Sequence, residues 1–327
     1  MKKHKICKIL LVILAIFLCV AFYELLGICV AYKKQPEVSN TTKKETKNGS
    51  WNECSENTER AVIIEKNPEA LLQRVRLIKN AKKEIILSTF AFQSDESGKL
   101  ILGALHDAAD RGVHIRLLVD GMESWIDMEG NPYFYGLSSH ENVEIKLYNK
   151  ANPLKPWKMM GRMHDKYLIA DGKRYILGGR NTYNYFLGDF PGHKNYDRDV
   201  LVVCDEPEKE NSVNQLLEYF ETIWEQEDSG YFHDNKKLAN RKSVKNAVLE
   251  LQNGYQKYFE ENKERICDTD YTDETFETEK IALVSNPIHT GSKEPVVWYQ
   301  LGELMKNAKN RVKIHTPYII CNDMMYN

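Results

Sequence analysis

The chain lacks an excess of either charge: 45 Lys and Arg stand against 47 Asp and Glu, a formal net charge of -2 over 327 residues. Without a global basic field the electrostatic footprint of a nucleic-acid binder is missing, so nucleic acid is not the favoured partner. Paired cysteines are lacking too. The seven cysteines show no Cys-x-x-Cys and no Cys/His metal spacing, and Cys7, Cys19 and Cys29 fall in or beside an apolar N-terminus. Neither a disulfide framework nor a metal site is expected, and no cofactor is implied. Of the other four, Cys54, Cys204, Cys267 and Cys321, Cys204 ends the apolar run 200–203 and reads as a small core residue of a buried strand. Apolar residues are not lacking: 42% hydrophobic and 10% aromatic content excludes a disordered chain, and the length allows two domains or one large α/β unit.

The first positive signal is N-terminal. A basic leader, 1–8, carries Lys2, Lys3, Lys5 and Lys8, and the apolar stretch 9–32 that follows is long enough to cross a bilayer as a helix. Its 15 Leu, Ile, Val and Phe residues outweigh the single acid, Glu24; each contributes about -0.3 to -0.6 kcal/mol against at most about 3 for the acid. The leader keeps the N-terminus cytoplasmic, although Lys33 and Lys34 on the far flank vote the other way. The expectation is a single-pass membrane protein with its globular part outside the cytoplasm. A cleaved signal peptide is the competing reading, because Cys19, Val20 and Ala21 put small residues near a possible cleavage point. The polar stretch 33–60 reads as a flexible stalk.

Beyond it, helix and strand patterns alternate. Asn67 and Pro68 are placed to start a helix as cap and first residue, with Leu71, Leu72, Val75 and Ile78 on one face up to Lys82. A strand is expected over 84–92. Ser97 is placed to cap a second helix with Ile101, Ala104, Leu105 and Ala108 on its apolar face and Gly112 just past its end, before a strand over 113–120. Such alternation predicts a sheet covered by helices, with parallel pairing across crossovers. The stretch 212–224 carries Leu216, Leu217, Phe220 and Trp224 at helical spacing and reads as core. The residues 304–309 and the apolar run after them resemble 77–82 and the strand after it at an offset of 227. This predicts a second copy of the unit beginning near Ile281, after a helical and acidic linker over 228–280.

The strongest signal is the pattern HxK(x)4D(x)6GGxN formed by His164, Lys166, Asp171, Gly178, Gly179 and Asn181. Six fixed positions match by chance in roughly one window in 10^7 to 10^8. Residues two apart on a strand share a face, so His164 and Lys166 project together while Asp165 turns away. A phosphodiester needs a nucleophile, a cation for its non-bridging oxygens and an acid for the leaving alkoxide. His164 can attack through one nitrogen while Lys166 holds the phosphoryl charge, with no metal required. Asp171, third member of the catalytic signature, has the opposite parity and sits beside Gly172, where a hairpin turn is expected, so it reads as an organiser of that turn. Gly178 and Gly179 permit close backbone approach, and Asn181 can donate its amide to a phosphate oxygen.

These residues resemble the HKD signature of the phospholipase D superfamily. The run 178–186, and Asp197, Arg198, Asp199 and Val200 before a strand, are most similar to bacterial cardiolipin synthases of the C type. The likeness covers about 61–224 well and 281–327 as the start of a second half. It implies a phospholipase D-like mixed sheet flanked by helices, with one complete repeat over 61–227 and part of another over 281–327. It also implies a two-step reaction: the histidine of one motif is phosphorylated, that of the other protonates the leaving group, and an alcohol or water then attacks. An acidic residue before the strand after GGxN steadies the nucleophilic histidine in that family; Asp199 fits the position, with Asp197 the fallback. Arg180 and Tyr183, beside the two glycines, are candidate substrate contacts.

The pattern departs from the family in carrying one HxK motif. At the observed offset the partner histidine falls near position 391, so the expectation is an incomplete enzyme that needs a second HKD half or a dimer partner. The leading reading is a cardiolipin-synthase-like phosphatidyltransferase acting on phospholipid at the membrane. Its alternatives are a phospholipase D hydrolase, a metal-independent dimeric nuclease and an inactive remnant that binds phosphorylated headgroups. Weaker signals are Lys150, Lys155, Lys158 and Arg162 around Trp157, Met159 and Met160, which read either as a lip for anionic headgroups or as a solvated loop. Tyr183, Tyr185 and Phe186 read equally as channel lining or core, and His114, His140, His193 and His289 as surface residues.

Overall fold

The computed structural model of the protein describes residues 2–34, 36–47, 49, 59–207, 211–233 and 235–314. In chain order the elements are α1 (Lys2–Tyr32), α2 (Asn40–Lys47), β1 (Arg60–Ile64), α3 (Asn67–Asn80), β2 (Glu84–Thr89), α4 (Glu96–Asp110) and β3 (His114–Asp120). There follow α5 (Gly121–Asp127), α6 (Pro132–Ser138), β4 (Val143–Tyr148), β5 (Tyr167–Ala170), β6 (Arg174–Gly178), β7 (Asp199–Val203), α7 (Ser212–Trp224) and β8 (Ser229–Tyr231). The last are α8 (Lys242–Glu261), α9 (Lys263–Cys267), β9 (Phe276–Glu277) and α10 (Val296–Lys306). The described residues divide into two units, one drawn from 1–35, 54–283 and 288–292 and the other from 36–53, 284–287 and 293–327.

In the larger unit the strands form one mixed sheet in the order β8-β4-β3-β2-β5-β6-β7-β1-β9. The expected parallel pairing holds for β2 with β3 and β3 with β4, where helices make the crossovers. Every other pair is antiparallel. The period of two sorts side chains onto two faces: Leu168, Ala170 and Ile176 join the core built with α3, α4, α6 and α8, while Tyr167, Ile169 and Tyr175 join the one built with α7. Cys204 is buried just past β7, and α7 occupies the expected 212–224 with Leu216, Phe220 and Trp224 buried.

Several expectations shift. Lys66 and not Asn67 is the cap of α3; Asn67 is buried in the first turn, where its amide donates to Asn195 O and its oxygen accepts from Arg180. Asp95 and not Ser97 caps α4, because its carboxylate reaches the Gly98 N–H while the Ser97 N–H is taken by Asn184. Gly112 does close that helix, at φ +88. The strand expected over 84–92 stops at Thr89, and Phe92 makes an isolated bridge to Thr182.

The region read as a linker is part of the fold. Val244, Ala247, Leu251, Tyr255 and Phe259 fall three or four residues apart, so α8 buries a continuous stripe. Its Leu251 and Tyr255 lie so close to Gly103 of α4 that a β-carbon there would overlap them. The acidic segment after α9 is held by Arg76, which donates to the carbonyls of Asp268 and Asp270 and to Glu274, beneath the Tyr271 ring. Within the segment read as a stalk, α2 is a helix, opened by Ser39 Oγ accepting from the Thr42 N–H. In the smaller unit Glu294 accepts from both Ser39 N–H and the Thr42 hydroxyl. The second-repeat expectation meets α10, which ends at Lys306, one residue short of the position that the offset of 227 carries over from the end of α3. The residues 311–314 form no strand, and the rest of that expected strand lies outside the described residues, as do Cys54 and Cys321.

A true linker residue would tolerate truncation. Leu251→Ala should instead destabilise the protein by about 2–5 kcal/mol in urea unfolding, while exposed Gln252→Ala stays within about 0.5 kcal/mol of the parent.

Candidate active site

The site is built at the C-terminal ends of the parallel strands, where open α/β sheets form their crevice. β5 runs antiparallel to β2, so the residues that enter β5 arrive at that edge. His164 and Lys166 lie in the extended segment just before β5, and the ladder continues into it through Gly178 N–H donating to Lys166 O at 3.1 Å. Parity places the pair on the face of Leu168 and Ala170. Asp165 points the other way and accepts from Tyr219 of α7 at 2.7 Å.

Phe90 is the floor on which the two groups meet. Its ring centroid is 4.7 Å from that of His164, and Lys166 Nζ stands 5.2 Å over the same ring. Lys166 also donates to His164 O at 2.6 Å. The imidazole remains open to solvent, yet loss of hydration on its covered side, followed by the Lys166 charge, lowers its pKa. Both effects favour the neutral imidazole, the form a nucleophile requires. Lys166 is buried, and desolvation pulls its pKa down to about 8 against the opposing pull of Asp165, Asp197 and Asp120. It keeps most of its charge at neutral pH.

The histidine is aimed by Asp120, which the pattern search missed. This wholly buried carboxylate at the end of β3 accepts from the Met163 N–H at 3.0 Å and from Arg162 at 3.0 Å, and also caps α5 through the Met122 N–H. Burial raises its pKa, and Arg162 opposes the rise. An acid at the carboxyl end of a parallel strand was the available signal. Asn149, at φ 50, completes the clamp: its amide donates to the carbonyls of Lys158 and Gly161, and its own carbonyl accepts from Arg162.

The remaining signature residues divide. Asn181 is buried with its oxygen fixed by the Ala91 N–H at 3.2 Å, which leaves the amide nitrogen to turn toward a ligand. Asp171 stands at the far end of the hairpin, at φ 54, where its carboxylate accepts from the N–H groups of Lys82, Lys83 and Glu84. It shapes the turn and does not belong with the reacting groups. Arg180, expected as a substrate contact, is buried in the framework instead, donating to Ile64 O, Glu65 O and Asn67, and desolvation lowers its pKa. Asp199 is likewise walled in, 3.0 Å from Arg74 and 3.2 Å from Arg180, in ionic contacts whose angles make no hydrogen bond. The fallback, Asp197, is partly exposed, and its charge acts on Lys166 after that of Asp165. Gly178 and Gly179 serve these acids before any substrate, since β-carbons there would overlap the carboxylates of Asp199 and Asp197. Tyr183 is half-buried and packs on Tyr185 and Phe186; burial first, then Tyr185 and the acids Glu123, Asp127 and Asp95, raise its pKa. Of the basic lip, Lys158 pairs with Asp228 and Lys150 donates to Tyr231 O.

The depressed lysine has two measurable consequences. Its folded pKa lies below its unfolded value near 10.5, so it contributes a penalty that is full below pH 8 and fades as pH rises toward 10.5. Lys166→Met should stabilise the unliganded protein at pH 7 by up to about 3 kcal/mol in thermal or urea unfolding. For the parent protein, affinity for glycerophosphoglycerol, whose single charge does not titrate, should fall by about tenfold per pH unit above pH 8 in a chemical-shift titration.

Residues 74–224 match the family described as cardiolipin synthase, PLD-like domain. An uncharacterized protein of Helicobacter pylori strain J99 is 30% identical over 212 residues, 60% of this chain and 39% of its own length. Cardiolipin synthase C of Escherichia coli K12 is 29% identical over 171 residues, 48% of this chain and 34% of its own. The chain thus spans well under two thirds of these relatives. The solved phosphatidylserine synthase of Haemophilus influenzae Rd KW20 overlaps 68% of this chain and 48% of its own at 17% identity, with a TM-score of 0.46. Residues 74–224, which hold His164, Lys166, Asn181, Asp120 and Asp197, thus form a phospholipase D-like domain.

Proposed function

We propose that the protein is a phosphatidyltransferase of the cardiolipin-synthase kind, acting on phospholipid in the membrane that α1 spans. The observation that carries this reading is the pair of an imidazole and a buried ammonium on one aromatic floor, His164 and Lys166 over Phe90, inside a cardiolipin-synthase-like domain. His164 attacks the phosphorus of a phospholipid and displaces the headgroup alkoxide. Lys166 and the Asn181 amide hold the non-bridging oxygens as charge builds on them. Asp165, with Asp197 and Asp120, supplies the negative charge that helps keep the lysine protonated. The phosphohistidine then passes its phosphatidyl group to an incoming alcohol, whose proton must leave with a base. Water in place of the alcohol gives hydrolysis by the same route.

The leaving alkoxide needs a proton, and the sequence offers one His-x-Lys segment. We therefore assign the general acid to a second such segment, brought by a further part of the protein or by a partner copy. The basic leader ahead of the apolar α1 favours a reaction at the outer face of the membrane, with Lys5 and Lys8 on the cytoplasmic side.

The test uses the chain reconstituted in phosphatidylglycerol vesicles with an added short alcohol. As a monomer, residues 1–327 should transfer nothing. Joined to, or co-reconstituted with, a segment carrying a second His-x-Lys motif, they should form the phosphatidyl ester of the alcohol, and His164→Gln should lower that rate at least about 1000-fold. Full transfer by the monomer, or by the His164→Gln variant, would refute the assignment.

A further inference from the structure

α1 is exposed from Lys5 to Tyr23 and held by the domain along its last turns. The hydroxyl of Tyr23 donates to Leu154 O at 3.1 Å, that of Tyr32 donates to Thr290 O at 2.6 Å, and Ser292 donates to Ala31 O at 3.1 Å. Between these ties Gly27 receives Pro156, which is buried there; a β-carbon at residue 27 would overlap its ring. What remains free of the domain beyond the basic leader is residues 9–22, about 21 Å of helix, so a hydrocarbon core of about 30 Å reaches into the turns on which the loop packs. Glu24, the one acid of the run, falls just past this free segment.

Leu154 stands at the same level, since Tyr23 touches it. The loop 152–160 shows Leu154 78% exposed, Trp157 45% and Met160 57%, with Lys155 exposed beside them. Three large apolar side chains on one short loop, flanked by a cation and continuous with the surface of a membrane span, have the composition of an interfacial anchor.

We propose that the loop 152–160 is a second membrane contact, seated in the headgroup layer of the leaflet from which α1 emerges. The clamp from Asn149 and Asp120 joins this loop rigidly to Met163, so His164 is presented at a fixed height above the lipid surface. The inference rests on α1 being a membrane span and not on the reaction assigned to the site.

The experiment is depth-resolved quenching of the full chain in phosphatidylglycerol and phosphatidylcholine vesicles carrying a lipid with a nitroxide near the top of its acyl chain. Subtracting the emission of Trp157→Phe from that of the parent isolates Trp157. Its signal should drop by at least about half with the nitroxide lipid and resist a soluble quencher such as acrylamide. A Trp157 signal blind to the nitroxide lipid and open to acrylamide overturns the proposal, whether solvent or another protein covers the loop. Flotation with vesicles in high salt reports the span separately, and its loss overturns the proposal as well.

Discussion

Asp120 is the group on which the site's geometry depends. A carboxylate removed from water is tolerated when its lone pairs are filled, and this one receives the backbone of Met163, the guanidinium of Arg162 and the first turn of α5. The strand that ends in Asp120 lies in the middle of the parallel part of the sheet, so its position is set by neighbours on both sides. The segment before His164 has no strand partner of its own. Asp120 supplies the fixed reference that a loop would otherwise lack, and the imidazole inherits the rigidity of the sheet one residue later.

A second buried ionic cluster does the corresponding work on the far side of the motif. Asp199 lies between Arg74 of α3 and Arg180, and Arg180 reaches on to the carbonyls of Ile64 and Glu65. Removing one member of such a cluster leaves an uncompensated charge and costs about 3–5 kcal/mol, which is why the arginine inside GGxN belongs to the framework. The two glycines belong to it for the same reason, as they leave room for carboxylates where any side chain would intrude. Lys166, like Arg180 and Asp120, is left short of compensation for its burial. Its partners leave its pKa depressed, and the missing stabilisation is what an incoming phosphate can provide.

Much of this was legible in the sequence because strand parity is a local property. The same-face placement of His164 and Lys166 and the outward turn of Asp165 follow from a period of two, and α7 follows from a period of 3.6. The helix caps were misplaced by one or two residues because neighbouring polar groups compete for the same N–H, and the winner depends on tertiary partners such as Asn184 and Arg180. Asp197 and Asp199 differ by two residues, and nothing local says which faces the site and which faces the arginines. The α8 stripe was equally visible as a pattern, but its charged surroundings concealed that its apolar side packs beside α4.

The turn at Asp171 has a geometric corollary. It is closed by Lys173 N–H to Ala170 O, and the aspartate grips the three N–H groups where β2 begins. This fastens one end of β5 to an external mark, so the number of residues from there back to the histidine works as a ruler. One residue added between Lys166 and Asp171 would slide the upstream part by a single step and rotate the imidazole to the α7 side, where Asp165 now sits. The four-residue spacer of the motif is therefore a length standard, and it can change only in pairs.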